Sequence, residues 1–135
     1  MVSTQLKIVS PYAQSLTQEV YSVELKTTTG RIAVLPNHNP LMAPIENHIA
    51  YIRKTASGER IPYVILEGVA YVEKHQIRVF TDFFKPLSEV NGEEIQSQIA
   101  KEQKVFESSE DDKKKMQIKA NIKLHQAILL ALKEK

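Results

Sequence analysis

The side chains best suited to chemistry near neutral pH are four histidines, His38, His48, His75 and His125. An imidazole can hold a metal ion or move a proton. A pair of histidine ligands is commonest as His-x-His on a strand or His-x-x-x-His on a helix, because those spacings place both rings on one face. Neither spacing occurs. The chain has no cysteine, which removes thiolate metal sites, cysteine nucleophiles and disulfides together. It has no Gly-x-Ser-x-Gly elbow, and no pairing of carboxylates stands out. Its glycines, Gly30, Gly58, Gly68 and Gly92, are too scattered to cradle a phosphate. His75 falls in a polar turn and reads as exposed. His125 lies on an apolar helical stripe and reads as a histidine at a helix–helix seam.

One segment has a more specific pattern: Gly30-Arg31-Ile32-Ala33-Val34-Leu35-Pro36-Asn37-His38-Asn39-Pro40-Leu41-Met42. Two prolines bracket an Asn-His-Asn triplet. Each fixes its own φ and pushes the residue before it to extended geometry. The result is a stiff loop presenting polar groups. Such a loop loses little entropy on docking and suits a binding surface, though it equally suits a tight corner between strands.

Two periodicities organise the rest. From about Leu6 to Phe84 apolar residues recur with period two, punctuated by turns. Tyr21, Val23 and Leu25 alternate with Ser22, Glu24 and Lys26, which predicts a half-buried strand. Leu6 and Ile8, Ile32 and Val34, Ala50 and Ile52, Val69 and Tyr71, and Ile77 and Val79 mark others. Ile61 to Leu66 is almost continuously apolar, as in a strand buried on both sides. Many short strands at this spacing predict an antiparallel sandwich or barrel. From about Glu93 to Leu132 the period is helical, without Gly or Pro. Asn91, with Glu94 three residues on, predicts a helix start. Ile95, Ile99 and Phe106 form a stripe that Glu102 interrupts. Ser108 or Ser109 can cap a second helix carrying Ile118, Ile122, His125, Leu129 and Leu132, widened by Leu124, Ile128 and Ala131, with Lys133 and Lys135 at its negative end. The expected fold class is α+β: an N-terminal antiparallel β-sandwich over 1–87, then a C-terminal two-helix antiparallel hairpin over 88–135.

Composition narrows the function classes. The 135 residues are 42% hydrophobic and 25% charged, with a net charge of +2. Divided after Gly92, each part carries nine basic and eight acidic residues. A nucleic-acid binder concentrates basic charge, and only Lys113-Lys114-Lys115 does so here. By itself that run reads as a solvated helix start. No apolar run approaches the roughly 18 residues that span a bilayer. Met1 to Ser10 lacks the layout of a signal peptide. Membrane association is therefore expected only through partners.

The loop segment resembles that of the epsilon subunit of bacterial F-type ATP synthases: Gly-Glu-x-Gly, an aliphatic pair, then Pro-Gly-His-x-Pro-Leu. Gly30, Pro36, His38, Pro40 and Leu41 match. Gly68-Val69-Ala70-Tyr71-Val72, followed after a turn by Ile77-Arg78-Val79-Phe80-Thr81-Asp82, is similar to the family's glycine-led strand and its Val-x-Val-x-x-Asp. Leu6-Lys7-Ile8-Val9-Ser10-Pro11 resembles its first strand. The similarity in motifs covers about residues 5 to 87, and the last third agrees in pattern.

The resemblance implies a non-catalytic rotor subunit without a cofactor, peripheral on the cytoplasmic face of a bacterial membrane. One sandwich face would bind the gamma subunit. The loop end would meet the c-ring through Arg31, Asn37, His38, Asn39 and Pro40. The hairpin would fold on the sandwich or extend and inhibit hydrolysis, Lys113, Lys114, Lys115, Lys119 and Lys123 then meeting an acidic segment of the beta subunit within the alpha/beta head. Three positions depart from the family: its acid after the first glycine is Arg31, and its later glycines are Ala33 and Asn37. Some members hold regulatory ATP through Ile/Leu-Asp-x-x-Arg-Ala. Here Val90-Asn91-Gly92-Glu93-Glu94-Ile95 replaces the Asp by Asn and the Arg by Glu, so no ATP site is expected. A variant ATPase with a non-standard rotor base, or an interaction module outside any ATPase, are the alternatives.

Overall fold

The computed structural model describes residues 3–11 and 13–133. Lys135 lies outside the described residues. Ten strands are followed by two helices. The strands are β1 (Thr4–Ser10), β2 (Ala13–Val20), β3 (Ser22–Thr27), β4 (Gly30–Val34), β5 (Leu41–Ile45), β6 (His48–Arg53), β7 (Ile61–Ile65), β8 (Gly68–Val72), β9 (Gln76–Thr81) and β10 (Phe84–Pro86). The helices are α1 (Gly92–Ser108) and α2 (Asp112–Leu132).

The strands form two layers. One sheet runs β10–β7–β6–β3–β4 and the other β5–β8–β9–β1–β2. They join at one corner, where Thr27 of β3 pairs with Ile45 of β5. Every ladder is antiparallel except β1 with β9, which run parallel. That exception follows from topology, because β1 is inserted beside a strand some seventy residues later in the chain, without a hairpin turn to reverse it. The core between the layers is aliphatic. Leu6, Ile8, Val23, Leu25, Ile52, Ile65, Ile77 and Val79 are all buried in it. Burying each such side chain stabilises the fold by roughly 1.5–3 kcal/mol.

The sequence reading identifies the sandwich and the helical hairpin. It does not single out β2, whose residues alternate weakly, nor β10, which has three residues. It also stops the loop at Met42, where β5 is already under way.

Two local features depend on residue type. Asn37 has φ of 63°, in the left-handed region, at the position where the related family carries glycine. Asparagine is among the few other residues that tolerate it. Gly68 lies so close to β9 that an added Cβ would sit 1.9 Å from the Phe80 carbonyl oxygen. Neither backbone can yield without breaking the β8–β9 ladder. Gly68→Ala should destabilise the chain by about 3 kcal/mol or more, read as a lowered urea midpoint. A loss under about 1 kcal/mol would mean the two strands separate easily.

Candidate functional site

The helical hairpin covers one sheet and leaves the other open. α2 lies across β6 and β7. Ile128 and Ala131 of α2 are buried against Ile49, Val64 and Leu66, with Tyr51, Phe83, Leu124 and Leu132 packed around them. β7 is therefore apolar on both faces at this end: Ile65 points into the sandwich and Val64 under α2. Tyr63 beside it has its phenol pKa pushed up, by burial first and then by the Glu89 carboxylate. Arg60 clamps the same sheet nearby. Its Nε and Nη2 donate to Glu24 at 2.8 and 3.0 Å, and its guanidinium lies 4.0 Å from the Tyr51 ring centre. The Glu24 hydrogen bonds hold Arg60 charged by raising its pKa.

Both helices are capped by their own side chains. Asn91 Oδ1 accepts from the backbone N–H of Glu93 at 3.0 Å and of Glu94 at 3.3 Å. Asp111, rather than either serine, caps α2 by accepting from Lys113 N at 3.0 Å. Ser109 instead accepts from Asp111 N, and Ser108 closes α1.

The opposite sheet turns an apolar face outward. The register places Met42, Tyr71, Arg78 and Lys7 in one row and Pro44, Val69, Phe80 and Val9 in the next. Met42 is 65% exposed and Phe80 41%. Tyr71 and Phe80 meet edge to face with ring centres 5.6 Å apart. Arg78 reaches over Tyr71 and pairs with Glu73 at 2.7 Å. An apolar surface of this kind, edged with charge, is the usual form of a protein-docking face. The pattern Gly68-Val69-Ala70-Tyr71-Val72 conceals it. Both faces of β8 are apolar, so alternation alone does not say that Ala70 and Val72 point inward and Val69 and Tyr71 outward.

The expected ring-facing residues fall into two groups. Asn37, His38, Asn39 and Pro40 lie in the loop after β4, at the end of the sandwich shared with the β8–β9 turn. The loop is tied there by Asn37 N to Lys74 O at 3.1 Å and is tightened by His38 N to Leu35 O at 3.2 Å. His38 Nδ1 lies 2.7 Å from the Asn39 carbonyl oxygen. Arg31 is at the other end of β4. It faces Lys26 across the ladder, and its Nη1 donates to Ile49 O at 3.4 Å. From Arg31 to Leu35 the strand advances about 13 Å. Lys113, Lys114, Lys119 and Lys123 are exposed along α2. Lys115 is half-buried, its Nζ 5.6 Å from the Phe106 ring centre. Of the histidines, His48 is buried beside Glu46, its Nδ1 2.6 Å from that residue's carbonyl oxygen, while His75 is exposed. His125 lies at the helix–helix seam.

Among the described residues nothing gathers into a reaction centre. A groove of about 650 Å³ between α2 and the sandwich is lined by Leu66, Phe83 and Leu124, with Glu67 and Asp82 set against Lys85 and Lys123. Among the described residues no cluster of histidine and carboxylate side chains could hold a metal ion, and no helix is long and apolar enough to cross a membrane.

Known proteins match this arrangement. A family model described as the beta-sandwich domain of the ATP synthase delta/epsilon chain matches residues 3–86. The ATP synthase epsilon chain of Ureaplasma urealyticum serovar 10 is 56% identical over 132 residues, covering 98% of this chain and 97% of the relative. That of Ureaplasma parvum serovar 3 is 54% identical over the same length. Among solved structures, a chain of the Euglena gracilis mitochondrial ATP synthase superposes with a TM-score of 0.64 at 18% identity, covering 98% of this chain and 82% of that one. The fold is thus shared well beyond recognisable sequence similarity. By sandwich, hairpin and near full-length identity, this chain belongs to the ATP synthase epsilon chains, structural rather than catalytic members of that complex.

Proposed function

We propose that this chain is the rotor-stalk epsilon subunit of an F-type, proton-translocating ATP synthase, linking the c-ring to the gamma subunit. It works on the cytoplasmic face of the membrane and is held there by its partners. The observation that carries the reading is the inequality of the two sheet faces. The hairpin occupies the outer face of β6 and β7, which leaves Met42, Val69, Tyr71 and Phe80 as the apolar face open to gamma.

The ring contact belongs to one end of the sandwich. The Asn37–Pro40 loop and Arg31 lie at opposite ends of β4, about 13 Å apart along the strand, so an end-on contact made by the loop does not reach Arg31.

The hairpin acts as the regulatory element in this reading, extending toward the alpha/beta head. Lys113, Lys114 and Lys115 occupy the first turn of α2, the positive end of the helix dipole, where cations are disfavoured. Asp111 and Asp112 offset this only partly. Such a placement suits docking to an acidic partner better than it suits the stability of the free helix.

Regulatory ATP has no place in this scheme. The α1 N-terminus is already capped by Asn91, and Glu93 and Glu94 in its first turn repel a triphosphate.

Three outcomes test the reading. Met42→Asp should weaken binding of the purified chain to gamma at least tenfold while leaving its urea midpoint within about 0.5 kcal/mol, since Met42 is exposed in the free chain. Undiminished binding would move the docking face elsewhere. Cysteines placed singly at Arg31 and at His38 should differ in crosslinking to the ring within the assembled complex, and equal yields would defeat the one-ended contact. Calorimetry of the isolated chain with ATP should show no heat of binding at millimolar nucleotide, whereas a one-to-one isotherm would reinstate a site.

A further inference from the structure

We propose that a notch at one end of the open face seats a basic side chain of gamma, a lysine or arginine, and so fixes which way round gamma lies. The inference rests on the reading of that face as the one held by gamma. The notch has a volume of about 410 Å³. Val9 and Phe80, which belong to the second row of the face, line it together with Pro11, Gly68, Glu67 and Asp82. It is therefore continuous with the apolar surface that carries Met42 and Tyr71.

The two carboxylates decide what the notch takes. Glu67 and Asp82 come directly beyond the last ladder pair of β8 and β9, Gly68 with Thr81. Leu66 N donates to Phe83 O at 3.1 Å, so pairing runs on past them and they stand across from each other. By alternation they share the outward side of Val69 and Phe80. Like charges directly opposite on a strand pair are destabilising. Both residues are exposed, and among the described residues neither makes an ion pair, although Lys85 and Lys123 line the adjoining groove with them. A cation placed between them removes the repulsion. The apolar wall of Val9, Pro11 and Phe80 fits the methylene stem that carries such a cation.

The backbone beneath the carboxylates is fixed in place. Asn47 Oδ1 accepts from Glu67 N at 2.8 Å. Thr81 Oγ1 donates to Leu66 O at 2.7 Å and Ser10 Oγ to Asp82 O at 2.9 Å, and both hydroxyl residues are buried. A seat held in this way loses little entropy on docking. Toward the β8–β9 turn the sign of the charge reverses, because Lys7 and Arg78 are cross-strand neighbours on the same face. A gamma surface complementary to both ends fits in one orientation only.

Titration calorimetry of the full chain with purified gamma tests the seat. The double variant Glu67→Gln/Asp82→Asn should bind about tenfold more weakly at about 50 mM salt, and the loss should shrink to about twofold at about 0.5 M, where charge is screened. The urea midpoint of the free variant should hold or rise, since the cross-strand repulsion is gone. Weaker binding without weaker folding separates a docking role from a structural one. If Met42→Asp weakens binding while the double variant binds as tightly as the unaltered chain, the seat is overturned and the face stands. If Met42→Asp also leaves binding unchanged, the face is overturned and the seat with it. A lowered urea midpoint in the double variant, or a loss of affinity equal at both salt concentrations, overturns the seat as well.

Discussion

At its β6–β7 end, sheet β10–β7–β6–β3–β4 is apolar on both faces, and that constraint governs the rest of the molecule. Its inner face is satisfied by the second sheet through Val23, Leu25, Ile52 and Ile65. Its outer face, with Ile49, Val64 and Leu66, needs a cover, and α2 supplies one through Ile128 and Ala131. A rigid second layer of strands could have done the same. Among the described residues of α2 only Ile128 and Ala131 are fully buried, with Leu124, Ala127 and Leu132 half-buried beside them, so this cover is lighter than the sandwich core. The same packing leaves the outer face of the sheet bearing Met42 and Phe80 uncovered. Held by its aliphatic core and by pairing that continues through the β3–β5 corner, the sandwich is the fixed part of the molecule.

Much of this fold is legible in the sequence, for physical reasons that differ from element to element. Strands with one wet face announce themselves: Val23 and Leu25 alternate with Glu24 and Lys26, and β3 lies where the alternation puts it. Ile61 to Leu66 reads as doubly buried, as its last residues are, because nothing polar breaks the run. Where both faces are apolar for different reasons, the pattern fails. In β8 the inward residues are packed in the core and the outward Val69 and Tyr71 are half-exposed, and hydrophobicity is the same for both. Tertiary placement is also hidden. Arg31 and His38 are neighbours in sequence but stand at opposite ends of the sandwich, because β4 runs its length between them. Period two predicts that a strand exists; it does not say which end of it faces what.

Glu102 shows a third kind of legibility. In sequence it is only a defect in an apolar stripe, and His125 is only a histidine on another. Each alone suggests a tolerated irregularity. Brought to 2.7 Å they account for each other, since a carboxylate buried at the seam is best placed beside a polar partner. No spacing rule within one helix could have paired them, because the contact is set by the antiparallel register of two helices. That register is also visible in Gly92, whose neighbours are Leu129 and Leu132 at the other end of α2.

The distribution of charge and apolar surface then follows a mechanical logic. On the proposed reading, a part that turns with a stalk must hold one partner firmly and another conditionally. Firm attachment calls for a broad face of aromatic and aliphatic side chains on a rigid scaffold, which is what β5, β8 and β9 present. Conditional attachment calls for an element whose closed form is only modestly favoured. α1 meets that description, since it buries one residue, a carboxylate, and keeps its aliphatic side chains half-exposed at the seam. The lysines at the start of α2 work in the same direction: they raise the free energy of the helix they begin and lower that of any complex with an acidic partner. The residues that work against hairpin stability are Glu102 at the seam and Lys113 to Lys115 against the dipole. Replacing them by ordinary helix-stabilising side chains would make a firmer hairpin.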